Sequence, residues 1–294
     1  MRPTALRFAI GLSLAVVLAC GAGVEGSGVE GSGVQGSSAW RTDSIWDDGN
    51  AEFCAYEVDW FRYGGLNPGR ALLILVKEPW APDLDVKADT PRPDGFDVLK
   101  LNHVRDVPTG IYTYNQMASV FVRRESGALQ KLMATSSEGC GISTARMTGG
   151  TLETSSYFDG QGDRSMPYPD GVFAEDGLPM TLRGFVTGEL PTEIEVFPSL
   201  MAGRYPDLTP RTWAVARIEA GLRSSPAGEL ETTEIRLTAG ADWRSYLFAQ
   251  QSPHLLLELS QSDGTTYRLA KCERIPYWQM NRPGGEEWLP ETLR

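Results

Sequence analysis

The sequence predicts an all-β fold, namely an antiparallel barrel, half-barrel or sandwich with few short helices. From residue 40 onward, nearly every ordered segment alternates apolar and polar residues or forms a short apolar run, as half-buried and fully buried strands do. Gly, Pro, Asn and Asp separate these segments, as they do in hairpin connections. A helical pattern occurs only around 177–185 and 198–205. Short connections between strands favour antiparallel pairing.

The strands can be placed in chain order. They are predicted at 51–60, 70–80, 98–107, 110–125, 128–137, 142–149, 211–220, 229–239, 244–251, 254–261 and 265–275. The segment RALLILVKEPW (70–80) is apolar at successive positions, which predicts a strand covered on both faces. Two polar stretches, 81–95 and 156–179, show neither the strand nor the helix periodicity and are predicted to be loops. Loops of this length are usually functional or disordered. The second loop separates two β halves of one β-rich domain, 40–294.

The N-terminus predicts export. Two arginines precede an apolar run at 8–18 that is too short to span a bilayer. The residues Val17-Leu18-Ala19-Cys20 resemble the cleavage box of bacterial lipoproteins, with Val17 where Leu is usual. The resemblance implies a lipoprotein signal peptide at 1–19 and acylation of Cys20, with palmitate among the attached chains. The alternative is a secreted protein cut after Ala22.

Residues 20–39 predict a flexible tether behind the lipidated Cys20. The repeated GVEGS unit generates the pattern G-x-G-x-x-G, but no helix follows, so a dinucleotide site is excluded. A Gly/Ser-rich chain of this length spans roughly 25 Å. In lipoproteins whose sorting is understood, Asp after the Cys retains the protein at the inner membrane, whereas Gly21 stands here. We therefore expect a lipid anchor in the cell envelope, at the outer membrane and facing the periplasm.

The charge of the chain excludes some partners. The formal net charge is −11, and loss of residues 1–19, which contain two arginines and no acidic residue, makes it −13. Such a charge disfavours nucleic acid and anionic membrane surfaces. The expected membrane contact is therefore the lipid anchor itself.

Three cysteines remain besides Cys20, and an odd number in an oxidising compartment predicts one disulfide and one free thiol. Cys54 and Cys272 lie on the first and the last predicted strand, which would be neighbours in a closed barrel. Strict alternation nevertheless places Cys272 on the face of Arg268 and Arg274, opposite to the apolar face that carries Cys54. The pairing among Cys54, Cys140 and Cys272 therefore stays open.

Several segments resemble an uncharacterised family of bacterial envelope proteins or lipoproteins. They are YGGLNPGRALLILVKEPW, VLKLNHVRDVPTGIYTYNQMASVF, EGCG and SYFDGQGD, and more loosely DWRSYLF, SPHLLLEL and IPYW. Such proteins are sometimes labelled Maf-type septum-formation inhibitors. Maf proteins are cytoplasmic α/β nucleotide pyrophosphatases, so the label does not suit this β-rich chain. The family implies no activity, and it has an aromatic residue before the motif Cys, where Gly139 stands here.

Catalytic motifs are sparse, so the sequence leans against an enzyme. After residue 38 there is no H-E-x-x-H, C-x-x-C, G-x-S-x-G or phosphate-loop pattern. The two histidines, His103 and His254, stand alone on predicted strands, where a structural role is commoner than catalysis. A Cys140–His pair would require the two side chains to meet in space. Glu138, Cys140 and Tyr157 form the one candidate functional cluster.

A metal site is the other candidate. In FDGQGD, Asp159 and Asp163 bracket two glycines, and Asp170 or Glu175 could add a further carboxylate. Calcium is held by carboxylates and by carbonyls that a Gly-rich turn can direct inward. The spacing differs from that of an EF-hand, and the same residues make an ordinary tight turn. No cofactor is expected apart from this calcium hypothesis.

Three functions fit these patterns. The first is a non-enzymatic binding module for a lipid or another apolar ligand, suggested by the anchor, the β architecture and aromatic residues able to line a cavity. The second is a structural or protein-interaction envelope lipoprotein with a packed core that acts through its loops. The third is a hydrolase or transferase that depends on Cys140 or on the loop carboxylates.

Overall fold

A computed structural model describes residues 36–205 and 207–294. The predicted signal peptide (1–19), Cys20 and most of the predicted tether (20–39) lie outside the described residues. Ser37 already belongs to the folded part, since its N–H donates to the carbonyl of Gly184 at 2.7 Å. Among the described residues, no helix has the length and apolar character needed to cross a membrane.

The fold is all-β, as predicted. Its strands are β1 (Ala51–Arg62), β2 (Gly65–Ala81), β3 (Val86–Lys87), β4 (Phe96–Thr109), β5 (Tyr112–Arg123), β6 (Leu129–Glu138), β7 (Gly141–Thr148), β8 (Thr151–Ser156), β9 (Arg164–Pro167), β10 (Phe173–Ala174), β11 (Glu193–Phe197), β12 (Arg211–Ser225), β13 (Gly228–Ala239), β14 (Asp242–Ala249), β15 (Leu256–Gln261) and β16 (Thr266–Ile275). The α-helices are α1 (Ala39–Thr42) and α2 (Leu178–Thr181). Single 3-10 turns occur at Ser44–Asp47, Glu175–Gly177, Leu182–Phe185, Tyr277–Gln279, Gly285–Trp288 and Glu291–Leu293.

All strands of the described residues belong to one open sheet. Its order is β10-β11-β12-β13-β14-β15-β16-β1-β2-β4-β5-β6-β7-β8-β9, with β3 attached to β2. Neighbours are antiparallel except β10 and β11. The first and the last long strands, β1 and β16, are therefore partners in the middle of the sheet. Two wings extend from this pair, and they correspond to the two β halves of the sequence.

Alternation along β1 defines the inner face of the sheet. Cys54, Tyr56 and Val58 are buried on this face in one continuous core. On the outer face, Ile74 and Val76 of β2 form a smaller cluster against which Tyr277 packs. The prediction that β2 is covered on both faces is therefore confirmed, and the C-terminal segment 276–294 supplies the outer cover.

A disulfide joins Cys54 of β1 to Cys272 of β16, and Cys140 is a free, exposed thiol. The parity argument against this pair was wrong because β16 contains a bulge. Ala55 pairs with Lys271 whereas Tyr56 pairs with Leu269, so Ala270 is an extra residue. A bulge reverses the alternation of faces. Tyr267 and Leu269 before it, and Cys272 after it, can therefore all face the core.

The two helical predictions have different outcomes. Residues 178–185 form α2 and a 3-10 turn, as the pattern indicated. Residues 198–205 form no helix, because their backbone groups bind side chains from elsewhere in the chain. Asp176 accepts the N–H of Leu200 at 2.8 Å, and the amide of Gln161 binds both the N–H and the carbonyl of Tyr205 at 3.0 Å.

We predict that Cys54→Ala combined with Cys272→Ala lowers the free energy of unfolding by about 2–5 kcal/mol, because the bond restricts the unfolded chain over a long loop. The sequence separation of the two cysteines is 218 residues. The measurement is urea denaturation of the double variant, with Cys140→Ala as the control for loss of an exposed thiol. Equal stability of the double variant and the control would refute the structural role of the bond.

Candidate functional site

The inner face of the sheet is covered by the chain itself. We call residues 168–205, which include β10, α2 and β11, the inner segment. Its side chains at Leu178, Met180, Leu182 and Phe185 have no exposed surface and belong to the same core as the inner residues of β1, β4 and β14. The sheet therefore encloses its own polypeptide at this place.

Polar contacts fasten the inner segment to the central strand β1 and to the wing that contains β5 and β7. Arg183 forms a buried bidentate pair with Glu52 of β1, at 2.5 and 3.2 Å. The amide of Gln116 on β5 donates to the carbonyl of Met201 at 2.8 Å. The hydroxyl of Ser143 on β7 donates to the carbonyl of Gly203 at 2.7 Å. These contacts match the inner segment to specific strands, as apolar packing alone would not.

Besides Arg183 and Glu52, the titratable groups of this region include Asp176 and His103, whose pKa values are shifted. Asp176 accepts hydrogen bonds from the Ser199 hydroxyl at 2.5 Å and from the Leu200 N–H, and burial raises the pKa of its carboxyl to about 6. His103 contacts the Tyr267 hydroxyl at 3.2 Å, and burial, with a smaller effect of nearby Arg105, lowers the pKa of its imidazole to about 3. His103 is therefore a neutral structural residue near pH 7.

A second polar and aromatic cluster lies at one end of the sheet. Alternate connections of an antiparallel meander fall at the same end, so the turns β1–β2, β4–β5 and β6–β7 and the end of β8 are neighbours. They carry Tyr63, Tyr112, Cys140 and Tyr157, respectively, and Tyr114 follows on β5. We call these five residues the tyrosine arc. The hydroxyls of Tyr63 and Tyr114 are hydrogen-bonded, and the Tyr112 hydroxyl lies 3.8 Å from the Cys140 Sγ.

Two glycines shape the centre of the tyrosine arc. A Cβ at Gly139 would lie 2.8 Å from the ring of Tyr112, and one at Gly141 would lie 2.7 Å from the ring of Tyr157. Both rings therefore lie in close contact with the backbone on either side of Cys140. This explains the sequence G-C-G at the turn, since a side chain at either glycine would collide with a tyrosine ring.

Arginines stack on the aromatic rings at both ends of the tyrosine arc. The guanidinium of Arg62 lies 4.9 Å from the ring centre of Tyr63, and that of Arg204 lies 3.8 Å from that of Phe158. Phe158 in turn packs against Tyr157, with the two ring centres 4.1 Å apart and the rings tilted by 34°. Glu138 lies below the surface, where its Oε1 is buried without a partner among the described residues. This end of the sheet thus combines closely packed aromatic rings, hydroxyls and two guanidinium groups.

Exposed apolar side chains collect at the same end. The large exposed ones there are Phe61, Tyr63, Leu66, Ile111, Ile142 and Tyr157. Ile111, at the β4–β5 turn, is 98% exposed. An apolar group gathered at one place on the surface is typical of a contact site, whereas scattered ones need no explanation.

The structure brings together Glu138, Cys140 and Tyr157, the cluster that the sequence singled out. It does not bring His103 to Cys140. His103 pairs with Ala118, six residues along β5 from Tyr112, which places it roughly 20 Å from the turn. His254 lies in the β14–β15 connection at the opposite end of the sheet. The suggested Cys–His nucleophilic pair is therefore absent from the described residues.

Asp159, Asp163 and Asp170 are exposed and do not form a compact ligand group. The carbonyls of Gly160 and Gln161, which a cation could use, accept hydrogen bonds from Arg164 at 2.7 and 3.0 Å. Within the described residues, the one group of three close ligand-type side chains is Glu52, Cys54 and Cys272. Its thiols are joined in the disulfide and its carboxylate is paired with Arg183. The calcium hypothesis stays a prediction.

The loop 81–95 is fastened to the outer face of the sheet through Asp85. The Oδ1 of Asp85 accepts the indole N–H of Trp80 at 3.2 Å and the amide of Gln130 at 2.8 Å. The ammonium of Lys131 donates to the carbonyl of Asp85 at 2.6 Å. These bonds make the loop part of the packed structure.

Sequence reasoning missed Arg62, Tyr63 and Arg204 as site residues and assigned Tyr112 only to the core or a cavity. A usable signal exists, because aromatic or cysteine residues occur at alternate turns of one meander, in YGG, GIY, EGCG and SYF. Arg204 carries no such signal, since its position depends on the inner segment folding back to Phe158.

We predict that Asp176→Asn changes the pH dependence of stability. The pKa of Asp176 is about 6 in the folded protein and about 3.9 in the unfolded chain. The folded state therefore binds the proton of this carboxyl more tightly, and the resulting stabilisation is present below about pH 4 and is lost as the pH rises through 6. Relative to the variant, the wild-type protein should lose roughly 3 kcal/mol of unfolding free energy between about pH 4 and 7. Urea denaturation across this range measures the difference, and a difference independent of pH contradicts the assignment.

Comparisons with known proteins assign no function to this chain. No family model matches the chain, and no curated protein sequence matches it. Among solved structures, it is similar to a crystal structure of a beta-barrel-like protein of the domain of unknown function DUF1849 from Brucella abortus. The two chains are 8% identical, with a TM-score of 0.45, and the match covers 76% of this chain and 98% of that one.

Proposed function

We propose that this protein is an envelope lipoprotein of a so far uncharacterised family, and that it binds a partner through the tyrosine-arc end of its sheet. The observation that carries the proposal is the gathering of exposed apolar side chains on adjacent turns at one end of a fold whose inner face is covered by its own chain. Contact between an apolar surface of this kind and water is unfavourable, and burial of the surface against a partner lowers the free energy.

Anchoring at the outer membrane, with the domain facing the periplasm, is part of the proposal. It rests on the signal-peptide pattern, on Cys20 followed by Gly21, and on the Gly/Ser-rich tether. The disulfide between Cys54 and Cys272 agrees with an oxidising compartment.

The geometry favours an interaction protein over a lipid carrier. A carrier requires an apolar chamber, and the inner segment occupies the inner face where aromatic residues could have lined one. Two surface grooves of about 530 and 680 Å³ have mixed charged linings, with Arg223, Glu234 and Arg236 in the first and Glu57, Arg70 and Asp106 in the second. Such linings suit polar contacts better than acyl chains.

We expect a photo-cross-linking residue at Ile111 to form an adduct with an envelope component in the bacterial host, because this side chain is the most exposed one beside the tyrosine arc. The matched control is the same residue at Leu84, which is 66% exposed at the other end of the sheet. Gel mobility of the isolated protein measures adduct formation. No adduct from position 111, or equal adducts from both positions, would contradict the proposal.

A further inference from the structure

Three buried polar side chains of the inner segment lie near one another. Tyr168 begins this segment and Tyr205 ends it, and their side chains are buried, with 7% and 3% of the residue surface exposed. Burial raises the pKa of both phenols, and the charge of the nearby Asp176 carboxylate raises it further. Asp176 itself is 3% exposed. We call these three residues the Asp176 cluster.

The hydrogen-bonding groups of the Asp176 cluster are complementary but do not bond to one another. The hydroxyls of Tyr168 and Tyr205 are buried and have no hydrogen-bond partner among the described residues. The Oδ1 of Asp176 accepts the Ser199 hydroxyl at 2.5 Å, and its Oδ2 accepts the Leu200 N–H at 2.8 Å. Each carboxylate oxygen keeps a further lone pair. Two donors without an acceptor therefore lie near an acceptor with spare capacity.

A third donor comes from the sheet. Arg244 of β14 uses its Nη2 to pair with Glu175, the neighbour of Asp176, at 2.9 Å. Its Nη1 is buried and has no partner within the part of the chain that the structure describes. Buried polar groups in folded proteins are nearly always bonded to protein or to ordered water, because leaving one unbonded costs free energy.

The surroundings favour a small and neutral occupant. The negative charges of Asp176 and Glu175 are opposed by Arg244 and by Arg105, whose charge counteracts the effect of burial on the pKa of Asp176. An anion would therefore meet a carboxylate, and a cation would meet a guanidinium. The ring of Phe197 packs on that of Tyr168 at 4.7 Å within the core, so the space is narrow. Water is small, neutral, and both donates and accepts hydrogen bonds.

We propose that ordered water links the Asp176 carboxylate to the hydroxyls of Tyr168 and Tyr205 and is part of the folded structure. The phenols donate to the water, and the water donates to the lone pairs that the carboxylate keeps. Buried water typically makes about three such hydrogen bonds. The water connects the first and the last residue of the inner segment to Asp176 and so stabilises the fold of this segment. This inference is independent of the proposed function.

The test uses Tyr168→Phe and Tyr205→Phe in the full chain, carrying Cys20→Ser so that it stays in solution. Each change removes a hydroxyl and keeps the ring. If the hydroxyls bind water, each loss should lower the midpoint of thermal unfolding by roughly 2–4 °C, because a net hydrogen bond is lost. Tyr56→Phe is the matched control, since the Tyr56 hydroxyl donates directly to the Leu256 carbonyl at 2.8 Å, and it should lower the midpoint by a similar amount.

Unbonded hydroxyls would give the opposite sign, because replacing a buried donor that has no partner by an apolar group is stabilising. An unchanged or raised midpoint in both variants therefore overturns the proposal. A crystal structure of the same chain distinguishes water from a direct bond. It should show a water oxygen within about 3.2 Å of a phenol oxygen and of a carboxylate oxygen of Asp176. A direct bond from the phenols to Asp176, an unfilled space, or a metal ion with oxygen ligands at about 2.4 Å would also overturn it.

Discussion

The pairing of the first long strand with the last is the constraint on which the rest of the structure depends. β1 and β16 meet in the middle of the sheet, and the bond between Cys54 and Cys272 crosses this pair. Both wings extend from it, so their turns and faces take their positions from one junction. Glu52, two residues before Cys54, also holds Arg183 of the inner segment. The same strand therefore fixes the register of the central strand pair and the position of the inner segment.

The inner segment determines what kind of function the fold can have. A sheet of this size, without such a segment, would offer a large apolar surface for a ligand. Here residues 168–205 cover the inner face, and buried polar contacts at Arg183, Gln116 and Asp176 specify how they lie. Exposed apolar and aromatic side chains collect instead at the ends of the strands. Turns at the ends of strands can carry exposed aromatic residues, whereas aromatic residues on the inner face of the sheet are buried in the core.

The sequence predicted the features that depend on local pattern. Alternation and short apolar runs located the long strands of both wings, and the two-sided apolar pattern of β2 correctly indicated a cover on its outer face. Features that depend on one residue or on distant contacts were missed. The extra residue Ala270 reverses the faces of β16, and side-chain partners at Gln161 and Asp176 replace a helix at 198–205. Tyr63 and Tyr157 lie at the same end of the sheet because of the order of the strands, which local sequence patterns do not reveal.

The protein's own chain fills the inner face of the sheet and leaves no room there for a bound ligand. Native mass spectrometry of residues 36–294, purified from a bacterial periplasm, tests it most directly. We expect the mass of the polypeptide less two hydrogens for the disulfide, with no adduct, because the inner segment occupies the space. A co-purifying species of lipid mass that survives gentle desolvation would show that the inner face holds a ligand and would restore the carrier hypothesis.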